Sequence, residues 1–157
     1  MKKKNIVLLI VGIVTIIALA ILNPFKKEIW DINAQKLINS FDNIDENLYI
    51  EDISEYIPFE WDELYSFSPY TPKEEIYEII GYEWDNIKET VSESMNQLVF
   101  IKDDKVVCYL YGYPENMKLG FNFGMYKGNY IKLTSEQKQS FELQPQKNDL
   151  KFLRYIK

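Results

Sequence analysis

The sequence predicts an α+β protein: an N-terminal transmembrane helix followed by one domain with an antiparallel β-sheet and two or three short helices. Three observations predict it. Ile6 to Leu22 is an apolar run with no charge, no amide and no proline, and Thr15 is its only polar side chain. Downstream, short segments rich in Val, Ile, Tyr and Phe alternate with turn residues, as strands joined by tight connections do. Among them stands one well-signposted helix, from Pro72 to Ile80. Connections this short leave no room for crossover helices, so the sheet is expected to be antiparallel.

The seventeen residues of the run span about 25 Å as a helix, short of the ~30 Å hydrocarbon core. Phe25 and the stems of the flanking lysines make up the difference. A competing reading is a cleavable signal peptide, with Ala18-Leu19-Ala20 as the exit and the remainder secreted after Ala20. The run continues through Ile21 and Leu22 without a polar exit, which favours the anchor. Lys2, Lys3 and Lys4 precede it, whereas Lys26 and Lys27 are offset by Glu28 and Asp31. The positive-inside bias then places the N-terminus in the cytoplasm and residues 26–157 outside the cell membrane. The expected division is an anchor over residues 1–25 and an extracytoplasmic domain over 26–157, with membrane lipid contacted through residues 6–22.

Charge narrows the function classes. The chain carries 24 Asp and Glu against 18 Lys and Arg, a net charge of −6. Residues 28–93 hold 18 of those acids against Lys36, Lys73 and Lys88, while residues 94–157 are net basic. Nucleic-acid binding is disfavoured, because it needs a basic surface. The acidic half reads as solvated faces that pair with the basic half; the sharper alternative is a face for cations or a basic partner. Cys108 is the only cysteine, so no intrachain disulfide forms and the fold rests on its own core.

Taken in order, Lys26 to Ile44 reads as an amphipathic helix with Ile29, Ile32, Leu37, Phe41 and Ile44 on its apolar side. Trp30 suits either the lipid–water boundary or packing onto the domain. Asp42 to Asp52 reads as a connecting loop and lacks the calcium-loop pattern. Trp61 to Phe67 is a strand. Thr71 as N-cap, Pro72 at the first helical position and Glu74 completing a capping box begin the next helix, and Gly81 stops it. Gln97 to Tyr111 is a hairpin turning at Asp103-Asp104, with strands apolar enough to be covered on both faces. Cys108 is then a buried small hydrophobe. Leu119 to Phe123, Tyr130 to Leu133, Phe141 to Leu143 and Leu150 to Ile156 are further strands, and Thr134 to Ser140 is a helical turn. Gly120, Gly124 and Gly128 make no phosphate loop, since no Gly-Lys-Ser or Gly-Lys-Thr follows.

The stretch Phe67-Ser68-Pro69-Tyr70-Thr71-Pro72-Lys73-Glu74-Glu75-Ile76, running into Ile80-Gly81, resembles small uncharacterised exported or membrane-anchored proteins of Gram-positive bacteria. Gln97-Leu98-Val99-Phe100 and its hairpin resemble them too, and no activity comes with that resemblance. A capped helix ending in glycine, then a hairpin, also looks like the β-lactamase-inhibitor-like fold. That likeness implies a protein-binding role.

The chemistry available is narrow. With no histidine, Ser-His-Asp and Cys-His systems and His-containing zinc sites are excluded. No catalytic residue, metal ligand or cofactor is assigned. One local coincidence is more specific: Ile57-Pro58-Phe59-Glu60-Trp61-Asp62-Glu63-Leu64 is echoed by Ile80-Gly81-Tyr82-Glu83-Trp84-Asp85-Asn86-Ile87. Either each Trp covers the core beside solvated acids, or Glu60, Asp62, Glu83 and Asp85 converge beside Trp61 and Trp84 as a site for a cation or a partner. The functional expectation is a membrane-anchored domain that binds a protein or cell-envelope component. The alternative is a carboxylate-dependent hydrolase acting on wall polymers, which needs two carboxylates across a cleft.

Overall fold

A computed structural model describes residues 10–15 and 27–156. Helix α1 is Ile29–Asn39, β1 Leu48–Ile50, β2 Glu63–Phe67, α2 Lys73–Ile80, β3 Asn96–Lys102 and β4 Lys105–Gly112. Then follow α3 (Pro114–Met117), β5 (Leu119–Asn122), β6 (Tyr130–Thr134), β7 (Ser140–Pro145) and β8 (Lys151–Ile156). The class is α+β, as expected, but the strands form two sheets. One has the order β4-β3-β2-β6 and the other β1-β7-β8-β5. Every pairing is antiparallel except β5 with β8, which is parallel. The expectation of a purely antiparallel sheet fails there for a topological reason. Short connections forbid parallel pairing only between consecutive strands, and the chain visits β6 and β7 before β8 returns beside β5.

The two sheets enclose the larger core. Leu64, Leu98, Phe100 and Leu110 from the first meet Leu119, Phe141, Leu143 and Leu153 from the second, all almost wholly buried. Leu37 of α1 and Phe41 just after it close one side. A second cluster covers the other face of the first sheet: Tyr65, Val99 and Tyr109 lie under Ile76 and Ile80 of α2, with Trp30 and Trp84 against them. β3 therefore has apolar neighbours on both faces, and Asn96 to Ile101 is buried residue by residue. Cys108 is fully buried, and that burial pushes its thiol up, away from the reactive thiolate.

Four sequence expectations are corrected. The first helix is shorter, because the chain turns over residues 40–43, and it buries Asn33, Ala34 and Leu37 while leaving Ile29 and Ile32 exposed. Its stripe is set by β4, where a bulge pairs Phe100 with Cys108 but Ile101 with Val106. The carbonyl of the skipped Val107 accepts the Asn33 Nδ2 hydrogen at 2.9 Å. Thr71 does not cap α2: its hydroxyl donates to the Ser68 carbonyl at 2.8 Å, and Glu89 accepts the Lys73 amide instead. The supposed loop at Asp42 to Asp52 contains β1, which pairs with β7. Thr134 to Ser140 is a turn closed by Gln137 on the Thr134 carbonyl, with no helix. Gly81 does end α2 in the left-handed region, at φ 87°.

The apolar run Ile6 to Leu22 lies mostly outside the described residues. Within it, residues 10–15 are helical, with Ile10, Val11, Ile13 and Val14 exposed. Among the described residues no helix is long and apolar enough to cross a membrane.

Candidate functional site

The two Glu-Trp-Asp segments are laid on opposite faces of the first sheet. Trp61 enters the core between the sheets, edge-on to Phe100 at 5.9 Å. Trp84 joins the outer cluster, edge-on to Trp30 at 5.4 Å and to Tyr109 at 5.3 Å. Trp30 is therefore part of the domain's packing. Glu60, Glu83 and Asp85 are exposed, and among the described residues no group of three or more acidic or thiol side chains gathers as a metal would need.

Asp62 has a structural post instead. Its carboxylate accepts from Lys102 Nζ at 2.8 Å and from the Asp103 amide at 3.0 Å, which clamps the β3–β4 turn to the start of β2. In that turn Asp103 and Asp104 are both left-handed, at φ 48° and 58°, the geometry of a two-residue type I′ hairpin. The Lys102 hydrogen bond, with help from the Asp103 amide, holds the Asp62 carboxyl below its usual range. Lys132 does the same for Glu63, and Arg154 for Glu142. A carboxyl depressed on folding contributes stability above its unfolded value, and that contribution is lost as pH falls through the folded one. Urea midpoints measured downward from about pH 5 should fall for the wild type, and Asp62→Asn should flatten part of that slope. An identical slope in the variant would show that the clamp is worth nothing.

A different part of the molecule has the makings of a site. By register, Ser66 lies opposite Leu98, Phe67 opposite Tyr130 and Asn96 opposite Gly112. The loops that follow β2 and β4 and precede β3 and β6 therefore meet at one end of the first sheet. From this end project Tyr70, Val91, Tyr113, Met125 and Tyr130, with Val91 72% and Met125 87% exposed. Hydrogen bonds tie the loops together: Thr90 Oγ1 accepts the Tyr70 amide at 2.8 Å, and the Ser68 amide donates to the Asn129 carbonyl at 2.8 Å. Asn122 Oδ1 accepts the Gly124 amide at 2.8 Å and shapes the segment after β5.

Between these loops opens a cleft of about 440 Å³. Phe67, Phe121, Phe123, Tyr126 and Phe152 line it, with Pro69, Met95 and Pro114. Phe152 packs so closely on Gly120 that a Cβ there would stand 2.4 Å from its ring, so the glycine makes room for this wall. Tyr126 reaches Ser66 Oγ at 2.8 Å, and burial pushes its hydroxyl up, keeping it neutral. Asn96, 7% exposed, accepts the Phe121 amide on Oδ1 at 3.1 Å, which fixes the orientation of its amide group; Nδ2 then has no partner. A buried donor without an acceptor costs about 1–3 kcal/mol. Glu93 and Glu115 are the charged residues of the lining; both are exposed, and neither forms an ion pair among the described residues.

None of the six candidate site residues expected from the sequence, Glu60, Trp61, Asp62, Glu83, Trp84 and Asp85, lines the cleft. The cleft residues come from segments spread between Ser66 and Phe152. The local hints are the turn formers Pro69, Pro114 and Gly124, which mark loops without saying that the loops converge. No protein-family model, curated protein or solved structure matches the chain.

Proposed function

We propose that the chain is a single-pass membrane protein, N-terminus inside, whose domain stands outside the membrane and binds a protein or cell-envelope component at the loop end of its first sheet. The anchor rests on Ile6 to Leu22 and its lysine asymmetry. The binding role is carried by one observation: five large apolar or aromatic side chains project around a cleft lined in part by aromatic residues. Exposed aromatic and apolar anchors around a concave site that mixes apolar and polar groups are what recognition surfaces use. A photo-crosslinking amino acid in place of Met125, in the full chain in cells, should give a discrete adduct. The same amino acid in place of Asp104, in the hairpin turn at the other end of the sheet, should not. Adducts at both positions, or at neither, would remove the loop end as the binding surface.

A second reading draws on Glu93 and Glu115, which give the cleft the two carboxylates that a hydrolase of wall polymers needs. Both stand in solvent, whereas the acid of such a pair is usually held in an apolar pocket. Binding therefore accounts for more of the cleft than hydrolysis does.

A further inference from the structure

We infer that the domain lies against the bilayer that holds its anchor, with the outer face of α1 seated in the lipid headgroup layer. This surface rests on the anchor reading and adds to it a set of membrane-contact residues, Ile29, Ile32 and Lys36. Helix α1 buries Asn33, Ala34 and Leu37, and its other side carries Ile29 at 54% exposed and Ile32 at 36%. Three residues apart on a helix, the two side chains stand together. No other isoleucine or leucine of residues 27–156 is exposed. Lys36 follows Ile32 one turn on, is exposed, and forms no ion pair among the described residues.

The length of the connection says what covers this face. Ile29 is the seventh residue beyond Leu22, where the apolar run ends, so even a fully extended chain keeps it within about 25 Å of that point. A domain of about 130 residues is roughly 36 Å across. The tether is shorter than the domain is wide, so the side that carries the start of α1 is held toward the bilayer. A face that joins apolar side chains to a lysine suits the headgroup boundary: the isoleucines enter about 5–10 Å deep, and the ammonium meets lipid phosphates. The neighbouring acids do not oppose this. Asp31 lines a groove on the flank of α1 with Lys88 and Tyr111, and the charge of Glu28 is offset by the adjacent Lys27.

The test uses the full chain in vesicles of phosphatidylcholine and phosphatidylglycerol. Cys108 is fully buried, so Ile29→Cys, Ile32→Cys and Met125→Cys each add one thiol for an environment-sensitive fluorophore, at exposed positions where folding is preserved. Emission from the first two should shift to the blue and lose intensity when lipids spin-labelled near the headgroup are included. The label at Met125→Cys, on the loop end, should do neither. Adding Lys36→Glu to Ile32→Cys should reduce the quenching, because the substitution sets an acid against anionic headgroups. No quenching at either isoleucine position, equal quenching at Met125→Cys, or quenching indifferent to Lys36→Glu would overturn the inference. A blue shift without quenching would also overturn it, in favour of a second copy of the chain covering this face. Resistance to an alkaline carbonate wash reads the anchor separately. A chain that stays in the vesicles without quenching keeps the anchor reading and loses this surface; a chain that washes off loses both.

Discussion

Phe100→Ala should lower the unfolding free energy by about 3–5 kcal/mol, the usual cost of emptying a buried aromatic position. Phe100 is 1% exposed in the middle of β3, the strand with apolar neighbours on both faces. Its ring meets Trp61 at 5.9 Å and Phe59 at 5.4 Å, both edge-on, so it joins the segment before β2 to the core between the sheets. Truncation opens a void that two large, rigid rings and a buried strand cannot readily collapse into. The loss is read as a shift in urea midpoint at unchanged slope. As a contrast, Trp84→Ala strips only the outer cluster, where the indole is half-buried, and should cost less. The reverse order would mean that the inner core is not the main source of stability.

Asp45→Ala should cost about 1–3 kcal/mol, although its own side chain is 85% exposed. The cost arises at its partner. The Lys151 side chain is only 6% exposed, seated where β8 passes between Pro145 and Leu119, and its ammonium reaches Asp45 at 2.8 Å. Removing the acid leaves a buried ammonium without a counter-charge, and water at the Asp45 side keeps the penalty below that of a fully enclosed pair. Adding Lys151→Met to Asp45→Ala should recover most of the loss, because the charge that needed a partner is gone. Calorimetry on the two variants decides the point: a single variant within about 0.5 kcal/mol of wild type would place this pair with ordinary surface ion pairs.

The parts of the fold legible in the sequence are those decided locally. The β3–β4 hairpin follows from two β-rich runs around a pair of aspartates that tolerate the left-handed region, and the end of α2 follows from Gly81. The buried state of Cys108 follows from the apolar neighbours on its strand. What the sequence hides is decided at long range. The Thr71 hydroxyl finds a carbonyl at Ser68 in place of the helix it precedes, and α2 takes its N-terminal acceptor from Glu89, sixteen residues on. β1 is three residues inside an acidic stretch, too short for alternation to show. The echo between the two Glu-Trp-Asp segments is real as a local pattern, and its cause is shared duty: each lays a tryptophan on one face of the same sheet. The cleft is the least legible feature, since its residues meet only once both sheets have formed.

The arrangement of the protein across the membrane is the claim on which the rest depends, and Cys108 makes it directly testable. Because that sole cysteine is fully buried, a Met125→Cys substitution adds one accessible thiol, at a position 87% exposed on the loop end. Intact cells expressing the full chain are treated with a membrane-impermeant maleimide, and the protein is then recovered from the membrane fraction. The account predicts labelling of the Met125→Cys protein in intact cells and none of the wild type. Labelling that appears only after the cells are permeabilised would contradict it.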